Sequence, residues 1–160
     1  MLLPHCPAAE TEMPKLQQLK EIANECPGFQ ARATARAITR FFNTYFRPLD
    51  MTSEQFSLLI GIEVTPGITV ADLAAESGAD ATTLSRNVQI LEQRKLVRGV
   101  GRGRAGKRLE LTSTGLSLME KAVPLWRQAR REVAVALGEN GLRSANRAMR
   151  ALADAARLKE

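Results

Sequence analysis

The sequence is poor in the residues from which most site chemistry is built. Histidine occurs once, as His5, and no cluster of histidine and cysteine has ligand spacing, so no metal or other cofactor is expected. Cysteine occurs twice, at Cys6 and Cys26, without framework spacing, which points away from a disulfide scaffold and towards a reduced cytoplasmic setting. Nucleophile–base sets and paired loop carboxylates are missing, and the glycines between positions 99 and 106 lack the Lys-Ser/Thr ending of a phosphate loop. An enzyme is therefore disfavoured, and no catalytic residue is nominated. No apolar run approaches the ~18 residues of a membrane span. Met1–Cys6 has no basic region and leads into the polar Glu10–Lys20, unlike a secretory leader. Internal repeats and low-complexity tracts are also lacking.

What is present is an ordinary globular composition with an uneven charge. The 160 residues suit one domain, or a small head with dimerisation arms. The chain carries a formal charge of +6. Between Asp80 and Thr112 stand eight basic residues (Arg86, Arg94, Lys95, Arg98, Arg102, Arg104, Lys107, Arg108) against three acidic ones (Asp80, Glu92, Glu110), an excess of five. Nearly all the surplus charge thus falls in about a fifth of the chain. Such a concentration is the footprint of a phosphate-binding surface, with a solvated basic loop as the alternative.

Helical signals dominate. After a flexible tail at 1–13, Pro14 opens a helix over Lys15–Glu25 with Leu16, Leu19 and Ile22 on one face, ended by Cys26-Pro27-Gly28. A longer helix is expected from about Phe29 to Phe46. Thr52 or Ser53 caps the next one, which Thr65-Pro66-Gly67 closes. Thr69 then caps a short helix, Val70–Ser77, Gly78 supplies a left-handed turn, and Asp80 caps a second helix from Ala81 to about Lys95. Two short helices joined by a glycine-containing turn are the helix-turn-helix signature. Arg98–Val100 and Lys107–Leu111 read as two strands of a hairpin whose tip, rich in glycine and arginine, should be flexible. A last long helix starts at Thr112 or Ser113. Pro124 is expected to kink it, Gly138–Gly141 to break it, and a final helix to run over Leu142–Leu158.

If Leu84, Val88 and Leu91 face inward, the opposite side of the second motif helix carries Thr82, Thr83, Ser85, Arg86 and Gln89. These groups suit a major groove: arginine grips guanine O6/N7, glutamine pairs with adenine N6/N7, and hydroxyls reach phosphates or base edges. No acid interrupts that face before Glu92. Arg102 and Arg104, in the hairpin tip, are candidates for a minor groove. Lys107 and Arg108 are better placed for phosphates.

In Arg36–Thr39, Met51-Thr52-Ser53-Glu54-Gln55-Phe56-Ser57-Leu58-Leu59, Thr69-Val70-Ala71-Asp72-Leu73-Ala74, Thr82-Thr83-Leu84-Ser85-Arg86, Leu96-Val97 and Leu109-Glu110-Leu111-Thr112-Ser113-Thr114-Gly115, the chain resembles the MarR family of winged-helix regulators. The resemblance spans roughly residues 29–120, in the family's order and spacing. It implies a homodimer in which N- and C-terminal helices interlock and two heads read a pseudo-palindromic DNA site. It also implies repression relieved by a small ligand, often phenolic or otherwise anionic, lodged between head and dimer helices. Arg104 matches the family's wing arginine. Many members place an acid before it, where this chain has Gly103.

The expected architecture is therefore mainly α with a small β-hairpin wing. N-terminal dimerisation helices (14–50) precede a winged helix-turn-helix head (51–112) and C-terminal dimerisation helices (113–160). Apolar stripes at both ends (Leu16, Leu19, Ile22; Leu142, Met149, Leu152) exceed what a small head can cover, so a second copy is the natural partner, with packing of the two ends on each other as the competing reading. Phe42, Phe46, Phe56 and Trp126 are candidates for an effector pocket, simple core being the alternative. Cys26 precedes the long helix where some resembling proteins carry a redox-active cysteine, yet Pro27 and Gly28 separate it from that helix and an inert thiol competes. The expected partners are double-stranded DNA, a second copy and a small-molecule effector, with no membrane. The competing function is a winged helix used only for protein–protein contact.

Overall fold

The computed structural model describes residues 15–78, 80–101 and 106–157. The tail with His5 and Cys6, and the wing-tip residues Arg102, Gly103 and Arg104, lie outside the described residues. The chain divides into two compact units, the first ending at Arg36 and the second starting at Ala37.

In the first unit, helix α1 (Leu16–Glu25) is opened by Lys15, whose backbone N–H donates to the Gln18 side chain at 2.9 Å. Pro27 forces Cys26 into an extended conformation and so stops α1. It does not delay the next helix to Phe29: α2 (Pro27–Phe46) starts on the proline itself. Proline suits a first helical position because its φ is preset and its missing N–H would have no partner there. The Gln30 side chain returns to the end of α1, donating to the carbonyls of Ala23 (2.9 Å) and Asn24 (3.3 Å). Leu16, Leu19 and Ile22 stay exposed along one face.

In the second unit, α2 ends in a single 3-10 turn (Arg47–Leu49), and Asp50 takes a left-handed conformation. Helix α3 (Ser53–Val64) opens with a reciprocal cap between Thr52 and Gln55. Helix α4 (Val70–Ser77) opens with another, between Thr69 and Asp72, and stops at Gly78 with φ 63°. Helix α5 (Ala81–Gln93) follows, then strands β1 (Val97–Val100) and β2 (Arg108–Leu111), paired antiparallel with Val97 opposite Leu111 and Val100 opposite Arg108. The core joins these pieces. Phe46, Leu59, Leu84, Leu91 and Leu109 are essentially removed from water, each burial stabilising the fold by about 1.5–3 kcal/mol.

Helix α6 (Ser113–Arg157) breaks within the expected stretch, at Gly138, but over fewer residues. Pro124 lies inside it without disturbing the helical dihedrals. Its ring removes one backbone hydrogen bond there, and Ala122 and Ala129, on either side, are completely buried. The single non-helical residue is Gly138, at φ 71° and ψ 152°, a region open essentially to glycine alone. Helix resumes at once, so the break is confined to Gly138 and does not extend to Gly141 as expected: Glu139, Asn140 and Gly141 are already helical. Across the bend, Arg130 grips the Glu139 carboxylate with both terminal nitrogens, at 2.9 and 3.2 Å. That contact holds the Glu139 carboxyl below the usual carboxylate range.

Candidate nucleic-acid interface

Helix α5 is set by its cap and its inner face. The Asp80 carboxylate accepts the Thr83 backbone N–H at 2.8 Å, and this bond, reinforced by the Thr83 hydroxyl, holds the Asp80 carboxyl below its ordinary range. The cap is therefore charged at neutral pH, when it can oppose the positive end of the helix. Leu84, Val88 and Leu91 are buried, which turns Thr82, Arg86 and Gln89 to solvent on one open face. Ser85 is half-buried on the flank, and Thr83 is exposed at the first turn. With Glu92 half-buried at the far end, no acidic side chain interrupts this face.

The hairpin stands beside α5 and is anchored at its base. The Leu109 N–H donates to the Ile68 carbonyl at 2.9 Å, and Thr69 forms a lone antiparallel bridge with Arg108. Arg108 is exposed and runs past Gly67, next to the start of α4. It is thus brought to the same edge as the motif helices.

The basic surface is smaller than the residue count implies. Arg98 pairs with Glu110 across the hairpin through two nitrogens, at 2.9 and 3.1 Å. The Lys107 ammonium donates to Glu92 at 2.6 Å. Arg94 is turned inward, donating to the carbonyls of Asp50 (2.5 Å) and Leu49 (3.3 Å), where it ties the end of α5 to the 3-10 turn. These ties bridge 12, 15 and 44 or more residues, and no local sequence signal announces them.

Behind α5 lies a cavity of about 480 Å³. Phe42, Phe46, Phe56 and Trp126 all contribute to its wall, as do Thr83 and Asn87 of α5. The one ionisable side chain among the described residues of that wall is Glu54. On the same pair of helices, α2 and α6, the Glu132 carboxylate accepts from the Tyr45 hydroxyl and pushes its pKa up. Cys26 is half-buried between α1 and α2. Among the described residues no three His, Cys, Asp or Glu side chains converge on a metal-sized site, and no helix is long and apolar enough to cross a membrane.

A helix-turn-helix whose second helix shows an uninterrupted polar face, flanked by an anchored two-stranded hairpin, defines a winged-helix head. The comparisons with known proteins agree. The sequence profile of the MarR family matches residues 49–108. The structure is similar to that of the transcriptional regulator MosR of M. tuberculosis, at 34% identity, 85% of this chain, 98% of that chain and a TM-score of 0.76. MosR in complex with DNA is likewise similar, at 34% identity over 85% of this chain and 99% of that one, with a TM-score of 0.75. A mutant of E. coli MarR complexed with operator DNA shares the fold at 21% identity, covering 82% of this chain and 96% of that one with a TM-score of 0.72. A search of curated protein sequences gives no match. The chain belongs to the MarR family.

Proposed function

We propose that this protein is a transcriptional regulator that binds a pseudo-palindromic duplex site as a homodimer in the cytoplasm, releasing it when a small molecule occupies the cavity. The observation that carries the DNA-binding reading is the open face of α5, where no acidic side chain stands between Thr82, Arg86 and Gln89. The complexes of MosR and E. coli MarR with DNA support it. Thr83 and Ser85 at the helix margin, and Arg108 at the base of the hairpin, supply backbone contacts, with Arg102 and Arg104 assigned to the minor groove. A second copy is the partner that would cover Leu16, Leu19 and Ile22 on α1 and Met149 and Leu152 on α6, all about half exposed or more in the single chain.

The test is selection of genomic fragments by the purified protein. It should return a two-fold related sequence with half-sites about 10 base pairs apart, bound with an affinity that falls steeply with salt. Salt-insensitive or undetectable duplex binding would leave the protein-contact module as the better description.

The lining of the cavity bears on which small molecules would suit it. Phe42 and Trp126 are the accessible rings of the wall, Phe46 and Phe56 being core, and they favour an apolar molecule, while Glu54 disfavours an anion. Of the phenolic and otherwise anionic ligands that the family resemblance implies, this favours the phenolic ones in their neutral form. A neutral phenol should quench the fluorescence of Trp126, the chain's sole tryptophan, and weaken DNA binding. A benzoate of similar size should bind about tenfold more weakly, because its charge lies near a carboxylate. Equal or tighter binding of the benzoate would contradict this assignment.

A further inference from the structure

Lys107 does not extend freely from the wing. Its ammonium meets Glu92, on the last turn of α5, at 2.6 Å. Its aliphatic stem lies directly over the backbone of Gly99 on the opposite strand: a Cβ at position 99 would sit 1.6 Å from its Cε, 2.3 Å from its Cδ and 2.4 Å from its Cγ. Gly99 needs no unusual φ, so what the glycine provides there is the channel for the lysine stem. The lysine thus starts just before β2, crosses β1 and lands on the helix proposed to read DNA.

We infer that Lys107 is a positioning residue that clasps the wing to α5 through Glu92, and that Gly99 is glycine so that the clasp can close. The inference rests on the DNA-binding reading for its functional meaning, and it reassigns Lys107, expected from sequence to touch phosphate. A lysine held at 2.6 Å by a carboxylate has its charge already matched, so handing it to a phosphate would strand Glu92 near the DNA. What the clasp supplies is a fixed angle between hairpin and helix, so that both meet the duplex together.

The two roles predict opposite signs. If Lys107 were a phosphate contact restrained by Glu92, Glu92→Gln would release it and tighten binding. Gly99→Ala, which pushes the lysine stem aside without changing any charge, would leave binding the same or improve it. As a clasp, Glu92→Gln, Lys107→Gln and Gly99→Ala should each weaken duplex binding by about threefold to fivefold, the range of a partly exposed ion pair. The Glu92→Gln/Lys107→Gln double variant should be no weaker than either single one. The slope of log K on log salt should not change, whereas loss of a phosphate contact lowers it by about one.

A second measurement needs no DNA. Amide relaxation at Gly101 and Gly106, which flank the tip, should show lower order parameters in all three variants of the free protein. Tighter binding by Glu92→Gln or Gly99→Ala, a slope lowered by Lys107→Gln alone, or unchanged amide order would overturn the clasp. If the unsubstituted protein bound no duplex, the regulator reading would fall. The relaxation result would still decide whether the clasp exists.

Discussion

Arg86→Ala should reduce the affinity of the dimer for its selected site by about 30-fold to 10⁴-fold, while binding to unrelated duplex falls far less. The size follows from geometry and symmetry. Arg86 is exposed in the middle of the outer face of α5, with Leu84 and Val88 buried on the side away from it. A bidentate arginine–guanine contact discriminates by about 1–3 kcal/mol, and a two-fold complex contains the contact twice. The replacement also removes a positive charge, so some loss appears on every sequence, and the ratio of specific to unspecific affinity is the quantity to measure. Fluorescence anisotropy with the selected duplex and a scrambled one, at the same salt, gives that ratio. A ratio unchanged by Arg86→Ala would sink the assignment of α5 as the reading helix. Gln89→Ala should act alike but more weakly, relaxing the preference at one adenine position.

Gly115→Ala should destabilise the fold by about 3 kcal/mol, lowering the unfolding midpoint by about 6–12 °C. In an exposed helix interior the same change would stabilise, because alanine is the better helix former by up to ~1 kcal/mol. Here the sign reverses. Gly115 is buried in the first turn of α6, and a methyl group would sit 2.2 Å from the Leu96 carbonyl oxygen and 3.1 Å from its carbon. Neither withdraws cheaply, since that oxygen accepts from the Thr112 N–H at 3.0 Å and the Thr112 hydroxyl ties the adjoining Lys95 carbonyl at 2.6 Å. To admit the methyl group, α6 must lift from the base of the hairpin. Thermal and denaturant unfolding at a fixed protein concentration check this, and a variant as stable as the parent would show that the α6 start yields more easily than its hydrogen bonds imply.

Much of the head is legible in the sequence because its boundaries are written in local chemistry. Thr69 with Asp72, Gly78, and Asp80 with Thr83 act within three residues of where they stand, and α4 has the bounds that those residues foretell. The inward trio Leu84, Val88 and Leu91 follows from helical period alone. The errors have the opposite character. Pro124 predicts a disturbance of α6, but the non-helical dihedrals fall at Gly138 instead. Pro27 reads as a stop, although the same residue also starts α2. The basic face loses Arg94, Arg98 and Lys107 to partners distant in sequence. Charge can be counted along a chain, but its availability depends on which carboxylates and carbonyls the fold brings alongside.

Gly138 has a consequence beyond the shape of one helix. A side chain there would touch nothing within 4 Å, so glycine is required by its own dihedrals and not by any neighbour. The 19 residues from 139 to 157 form a lever about 28 Å long, and turning its base by about 10° swings the tip by about 5 Å. That is about one and a half base-pair steps of duplex. If two copies join through this lever, the distance between their reading helices is metered at a residue far from the DNA. Operator spacing would then be inherited through a hinge angle, and could drift in relatives without any change in the side chains that touch bases.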